Sequence, residues 1–279
     1  TLVNDREIGS AVAAAKLASD LGADGIIIQD LGLIKAIRQA LPDIPLHAST
    51  QMSIHNLAGV EAAAELGCTR AVLSRELSLE QIREISRRAS IETEVFVHGA
   101  LCFCHSGQCY MSAMIGRRSG NRGQCAQPCR MAYGFDRSEN RYPLSLKDNC
   151  LVGYLRELEA MGVKCVKIEG RMKRAEYVAI TTRIYKDAAL GKPVTAGQLD
   201  SLRKVFSRQG FTDGCYLGRK GQEMFGVRQD EETDRKLSSQ ARATYENGEA
   251  QRVPVSLFMS VRAGQPALLT VTDDRGRQV

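Results

Sequence analysis

At 279 residues, with a formal net charge of +6 and 43% hydrophobic residues, the chain is long enough for one large α/β domain plus a smaller piece. No run of about 18 apolar residues occurs, so no membrane-spanning helix is expected. Nine cysteines make an odd total. With no secretory segment and an intracellular composition, they argue against a disulfide framework and lead to the expectation of a cytoplasmic protein.

In chain order the apolar pattern alternates between helical and strand periods. Residues 11–21 read as a helix, 25–30 as a buried strand and 33–41 as a helix; 44–50 and 58–66 repeat the unit, as do 70–76 and 79–89, and 93–99 is a fourth strand. A cysteine-rich loop over residues 98–130 follows, and then 142–148 with 151–161, and 165–171 with 175–190. Six βα units with largely apolar strands predict a parallel sheet covered by helices. Residues 1–218 are expected to form this domain, 219–250 a charged linker with little hydrophobic period, and 251–279 the start of a β domain alternating about an Ala-Gly-Gln-Pro turn.

The strand ends are more informative than the strand middles. Gln29 and Asp30; His47, Ser49, Thr50 and Gln51; Ser74, Arg75 and Glu76; His98; Lys147 and Asp148; and Lys167, Glu169 and Arg171 all fall there. In a (β/α)₈ barrel such ends share one face, where an active site is built. An open doubly wound sheet would spread them along a crevice, but neither a GxGxxG nor a Walker sequence is present to favour it. Glu169 and His98 are candidate proton carriers, and Arg171 is suited to orienting Glu169 or gripping substrate. His47, Gln51 and Arg75 are candidate substrate contacts. Arg75 with Glu76, or Glu169 with Arg171, would equally serve as ion pairs bracing the rim.

Five of the nine cysteines, Cys102, Cys104, Cys109, Cys125 and Cys129, crowd into the loop after the fourth strand. Cys68, Cys150, Cys165 and Cys215 sit in or beside apolar stretches and read as small hydrophobes. Soft thiolates converging in one loop suit zinc or an iron–sulfur cluster. No pair has the two-residue spacing of a zinc knuckle, which leans the reading toward a larger inorganic core and leaves zinc as the alternative. From Arg117 to Arg141 six arginines (Arg117, Arg118, Arg122, Arg130, Arg137, Arg141) face two acids, Asp136 and Glu139, an excess that suits an anionic partner. Arg117, Arg118, Arg122 and Arg130 are the candidate contacts to phosphate or carboxylate groups. Aromatic residues for stacking nucleobases are sparse, with Tyr110, Tyr133 and Phe135 the main candidates.

The pattern ExFxxGALCxxxxGxCxMS, at Glu94, Phe96, Gly99 to Cys102, Gly107, Cys109, Met111 and Ser112, resembles the characteristic motif of the collagenase-like peptidase U32 family. HASTQM, LSRELSLEQI, GQCAQPCR, SLKDN and KIEGRMKRAEYVA extend the resemblance from Thr1 to about Gly218. It implies a TIM-like (β/α) barrel and, in some branches, a [4Fe–4S] cluster held by cysteines of this loop. Those branches carry out oxygen-independent hydroxylation of a tRNA uridine or rRNA cytidine with prephenate, a small dicarboxylate, as donor, or of a ubiquinone precursor. By the same resemblance Cys102, Cys109 and Cys125 match ligand positions, Cys129 is the fourth ligand, and Cys104 is extra. Relative to the family the chain is expected to lack its first strands, leaving an incomplete barrel. The barrel, linker and β segment together resemble the rRNA-modifying branch.

Three functions stand against one another. A peptidase has the family name behind it, yet no HExxH helix or GxSxG elbow is present, and only His98 or His105 lies near a cysteine in sequence. An RNA hydroxylase uses the thiols, the arginines and the strand-end carboxylate, with structured RNA and the dicarboxylate as partners. A metal-stabilised RNA-binding scaffold is the third.

Overall fold

The computed structural model describes residues 1–134, 141–227, 234–246, 254–273, 276 and 278. Phe135 and Arg137, both singled out in the sequence, lie outside the described residues. The chain divides into two compact units, Thr1–Asp234 and Arg235–Val279.

The first unit runs α1 (Ile8–Asp20), β1 (Ile26–Ile28), α2 (Leu31–Ala40), β2 (Leu46–Ala48), α3 (Leu57–Glu65), β3 (Arg70–Val72), α4 (Leu79–Arg88), β4 (Glu92–Ala100), α5 (Met111–Gly116), β5 (Asp148–Cys150), α6 (Leu155–Ala160), β6 (Cys165–Ile168), α7 (Ala175–Ala189), α8 (Ala196–Val205) and β7 (Phe211–Thr212). Residue chemistry accounts for the element starts. Asp30 accepts from the Leu33 N–H to cap α2, and Asn56 accepts from Gly59 to cap α3. Ser78 and Gln81 form a reciprocal capping box on α4, a cap worth about 1 kcal/mol. Ile82 and Ile85 of α4 are buried against the sheet, each contributing roughly 1.5–3 kcal/mol.

β1, β2, β3 and β4 pair in parallel in sequence order, and β6 adds to β4 in parallel. Their carboxyl ends therefore share one edge, as the strand-end reading required. One expectation is corrected: β5 runs antiparallel to β4, with Ala100 opposite Asp148 and His98 opposite Cys150. A parallel return needs a crossover to the far end of the sheet; here the chain leaves the carboxyl end of β4 and re-enters at that same end after the cysteine loop. The sheet runs β1–β2–β3–β4–β5–β7 with β6 branching from β4, and among the described residues no TIM-like barrel is closed.

Residues past Gly218 still belong to the first unit. Phe225 bridges Leu146, and Met224 packs in a small cluster with Leu101 and Leu146. In the second unit, part of the segment read as linker is a helix, α9 (Arg235–Glu246), with Ala241 buried. The antiparallel hairpin expected about Ala263-Gly264-Gln265-Pro266 is present as β8 (Val255–Ser260) and β9 (Leu268–Asp273). Among the described residues no helix is long and apolar enough to cross a membrane.

A candidate active site at the carboxyl edge of the sheet

The cysteine loop is tied down across the carboxyl edge of the parallel strands. Gln51, after β2, donates through Nε2 to the Gly120 carbonyl at 3.1 Å. Ser53 donates to the Ser106 carbonyl at 2.5 Å, and Gln108 donates to the Ser53 hydroxyl at 2.8 Å. Beyond β3, Glu76 accepts from both the N–H and the hydroxyl of Ser106, at 3.1 and 2.9 Å, while the Arg75 N–H donates to that hydroxyl. Burial works to raise the Glu76 pKa, but these Ser106 bonds prevail and hold it below the usual value. Gly107 sits at φ +78°, and a Cβ there would lie 2.1 Å from the Gln51 carbonyl oxygen, so glycine is required where the loop crosses β2. Buried Asn121 holds the two limbs together by donating to the Gly107 carbonyl at 2.9 Å. Glu76 was read as a strand-end residue bracing the rim, whereas Ser106 and Asn121 were not singled out in the sequence. The only signal available was Gly107 inside the motif, because tie-down bonds leave no periodicity.

All nine cysteines are free thiols. Cys102, Cys104, Cys109 and Cys129 are half-buried and Cys125 is exposed. Burial raises the Cys102 thiol pKa, opposed by nearby Arg75 and reinforced by Cys109 and Cys125. Burial likewise raises Cys129, which feels Cys102, Cys125 and Cys109. Cys102 and Cys129 thus lie within electrostatic reach of each other and of Cys109 and Cys125. Cys104 is also raised by burial, then by Cys109 and Cys102. The Gln127 N–H donates to Cys125 Sγ at 3.3 Å. Among the described residues no three His, Cys, Asp or Glu side chains are gathered tightly enough to hold a single metal ion as they stand. Of the remaining cysteines, Cys68 is buried in the core and Cys150, Cys165 and Cys215 are half-buried.

On the sheet face turned away from the main core, opposite charges alternate from mid-sheet to the edge. Arg70 pairs with Glu92 and Glu94, Lys167 pairs with Glu94 at 2.9 Å, and Arg75 and Lys167 both lie over the Phe96 ring. Arg75 then reaches Glu169 at 2.7 Å. Glu169 also accepts from the Arg171 N–H at 3.0 Å, while the Arg171 guanidinium caps the Gly123 carbonyl of the cysteine loop. Glu169 is therefore clamped by Arg75 and linked to the loop through Arg171. His47 lies mid-strand beside the Arg70 end of this group, with Arg70 and Ile27 as its register partners, rather than at the Arg75–Glu169 pair. Its pKa is lowered by burial and then by Arg70.

His98 departs most from expectation. Only 1% exposed, it is packed among the rings of Tyr177, Tyr185 and Phe211, on the helix-covered face rather than at the edge. Burial, helped by Lys173, lowers its pKa to about 4, so the ring is neutral near pH 7 and sealed from substrate. Two of the four candidate arginines are also committed elsewhere. Arg130 donates to the Leu101 and Leu146 carbonyls and to Ser145, which pins the loop's second limb to its first. Arg122 pairs with Glu7 and donates to the Leu2 carbonyl. Arg118 donates to the Gln124 carbonyl while remaining exposed. The Arg117 side chain, at the αL end of α5, makes no hydrogen bond or ion pair among the described residues.

A family profile, peptidase family U32, matches residues 1–226. The chain belongs to that family. It is 32% identical to the tRNA hydroxylation protein P of Escherichia coli K12, over 70% of this chain and 55% of that protein. To the 23S rRNA 5-hydroxycytidine C2501 synthase of the same organism it is 40% identical, over 79% of this chain and 36% of the synthase. To the collagenase of Porphyromonas gingivalis W83 it is 31% identical, over 79% and 58%. The chain thus spans from about a third to just over half the length of these relatives.

Proposed function

We propose that the protein works as the family domain of an oxygen-independent RNA hydroxylase, cytoplasmic and with its parallel strands forming part of a TIM-like barrel. The observation that carries the reading is the fixed placement of the cysteine loop over the strand edge where Arg75 holds Glu169. The absence of any two-residue cysteine spacing in the loop supports a polynuclear core over zinc. Cys102, Cys109, Cys125 and Cys129 would hold a [4Fe–4S] cluster, with the Gln127 N–H bonded to the Cys125 sulfur. When bound, it would supply the redox-active or Lewis-acidic centre at which a hydroxyl donor is activated.

The chain's own residues would bind and orient. Arg75 and Arg171 would hold a carboxylate of a small dicarboxylate donor, with Gln51 at the same edge, and Glu169 would accept or return a proton. Arg117 and Arg118 present charge outward for the phosphates of structured RNA. The relatives named for RNA hydroxylation support this choice of substrate. A peptidase is less well supported, because among the described residues no histidine ring hydrogen-bonds a cysteine sulfur.

The test is anaerobic purification with iron and sulfide analysis, followed by nucleoside mass spectrometry of RNA incubated with the loaded protein and a dicarboxylate donor. Stoichiometric iron and sulfide with gain of one oxygen on a pyrimidine are expected. Metal-free protein that cleaves peptides would overturn the reading, and iron-loaded protein that binds RNA without modifying it would make it a scaffold.

A further inference from the structure

We propose that one water molecule is bound inside the layer between β4, β5, β7 and α7, held by His98, Thr181 and Asp148, and that this water rather than substrate is the partner of His98. Three polar atoms in that layer are buried without a hydrogen-bond partner: His98 Nε2, Thr181 Oγ1 and Asp148 Oδ2. Their residues are 1%, 0% and 1% exposed. An orphaned polar atom in such a place costs roughly 1–3 kcal/mol, so three in one layer call for a common occupant.

Sheet register and helix period place the three together. His98 opposes Cys150 and Ala100 opposes Asp148, so His98, Asp148 and Cys150 share one face of the β4–β5 pair. Phe211 of β7 is opposite Asp148 and packs its ring on His98. Tyr177 and Tyr185 of α7 also pack on that ring, with centroids 5.9 and 5.2 Å away. Thr181 lies one turn from each and therefore on the same stripe of α7.

The hydrogen inventory then selects the ligand. The Tyr185 hydroxyl donates to the Val97 carbonyl at 2.9 Å, so toward His98 Nδ1, 3.1 Å away, it can only accept. Nδ1 therefore carries the proton and Nε2 is a bare acceptor. Asp148 Oδ1 is already taken by Arg208 at 2.6 Å, and Oδ2 is a second bare acceptor. Two acceptors and one hydroxyl are satisfied together by a molecule that donates twice and accepts once, which water does. A cation is disfavoured, because Arg208 and Lys173 already place positive charge beside Asp148. The water would join β5, opposite the start of the cysteine loop, to the helix whose Tyr177 hydroxyl donates to the Glu169 carbonyl at 2.9 Å.

A high-resolution crystal structure of the complete polypeptide tests this directly: one ordered water is expected within about 2.7–3.2 Å of all three atoms. In solution, the ¹⁵N shifts of His98 should report the Nδ1–H tautomer with Nε2 accepting, unchanged down to pH 5. Thr181→Val keeps the side-chain shape and should remove the water or shift the Nε2 resonance. A dry layer, an Nε2–H tautomer, or an Nε2 shift insensitive to Thr181→Val would each overturn the proposal. Should Thr181→Val fail to fold, the tautomer and the water density of the unaltered protein decide.

Discussion

Phe96 and His98 are two residues apart on β4, yet they face opposite worlds. Phe96 lies under Arg75 and Lys167 on the charged face that leads to Glu169, whereas His98 is enclosed by rings of α7 and β7. In a regular strand both would share a face. The register between β4 and β6 shifts between them, and the extra residue turns His98 toward the core. Being near the end of a strand is therefore not enough to place a side chain at the edge; one inserted residue decides which environment it meets.

The harshest test of that division lies on the open side. Cys109→Ser, Cys102→Ser and Cys125→Ser are each expected to abolish iron binding and all hydroxylation, while Cys68→Ser, in the buried core, keeps both. Iron and sulfide determination on anaerobically purified variants checks this, and full iron in Cys109→Ser would remove it from the ligand set. Cys104→Ser against Cys129→Ser identifies the fourth ligand, since only the true ligand's loss should release iron.

The next test crosses the sheet. Glu169→Gln should lower turnover by about 10²-fold or more with iron content and melting temperature held, if Glu169 handles a proton. A mere brace for Arg75 would leave turnover near normal.

His98 should answer in the opposite way. Its folded pKa is about 4 against 6.5 unfolded, so between these values the unfolded chain binds more protons. This contribution to stability is full above about pH 6.5 and lost as pH falls toward 4, on the order of 3 kcal/mol. His98→Gln should flatten that slope in urea melts at stepped pH and lower stability near neutrality, leaving turnover per folded molecule within a few-fold of the parent. A turnover loss as large as that of Glu169→Gln would return His98 to the active site.

The parallel strands and their helices were legible in the sequence because burial on one face imposes a period, as in Ile82 and Ile85 of α4 or the apolar β1. The cysteine loop was legible from composition, and Glu169 from its place after an apolar strand. Three features were not. The bulge before His98 leaves the same alternating letters as a regular strand. The antiparallel entry of β5 depends on which end of the sheet a long loop returns to, and pairing direction carries no residue signature. Among the arginines, a guanidinium donating to backbone carbonyls and one standing in solvent have identical sequence context, since carbonyl acceptors occur at every position.

That last ambiguity sets up the mildest test, Arg117 against Arg130. Arg130 is largely buried and bonds Leu101, Leu146 and Ser145, so Arg130→Ala should destabilise by about 1–3 kcal/mol by orphaning those groups and weaken RNA binding only through loss of folded protein. Arg117→Ala removes no intramolecular partner and should leave the melting temperature unchanged. If Arg117 meets RNA phosphate, its loss should lower the slope of log K against log salt by about 0.7–0.9, a few-fold change in affinity at moderate salt. Fluorescence anisotropy with a structured RNA at several salt concentrations separates the two. An unchanged slope in Arg117→Ala, together with one in Arg118→Ala, would take RNA phosphates away from this face and leave the arginine excess as a device for holding the cysteine loop to itself.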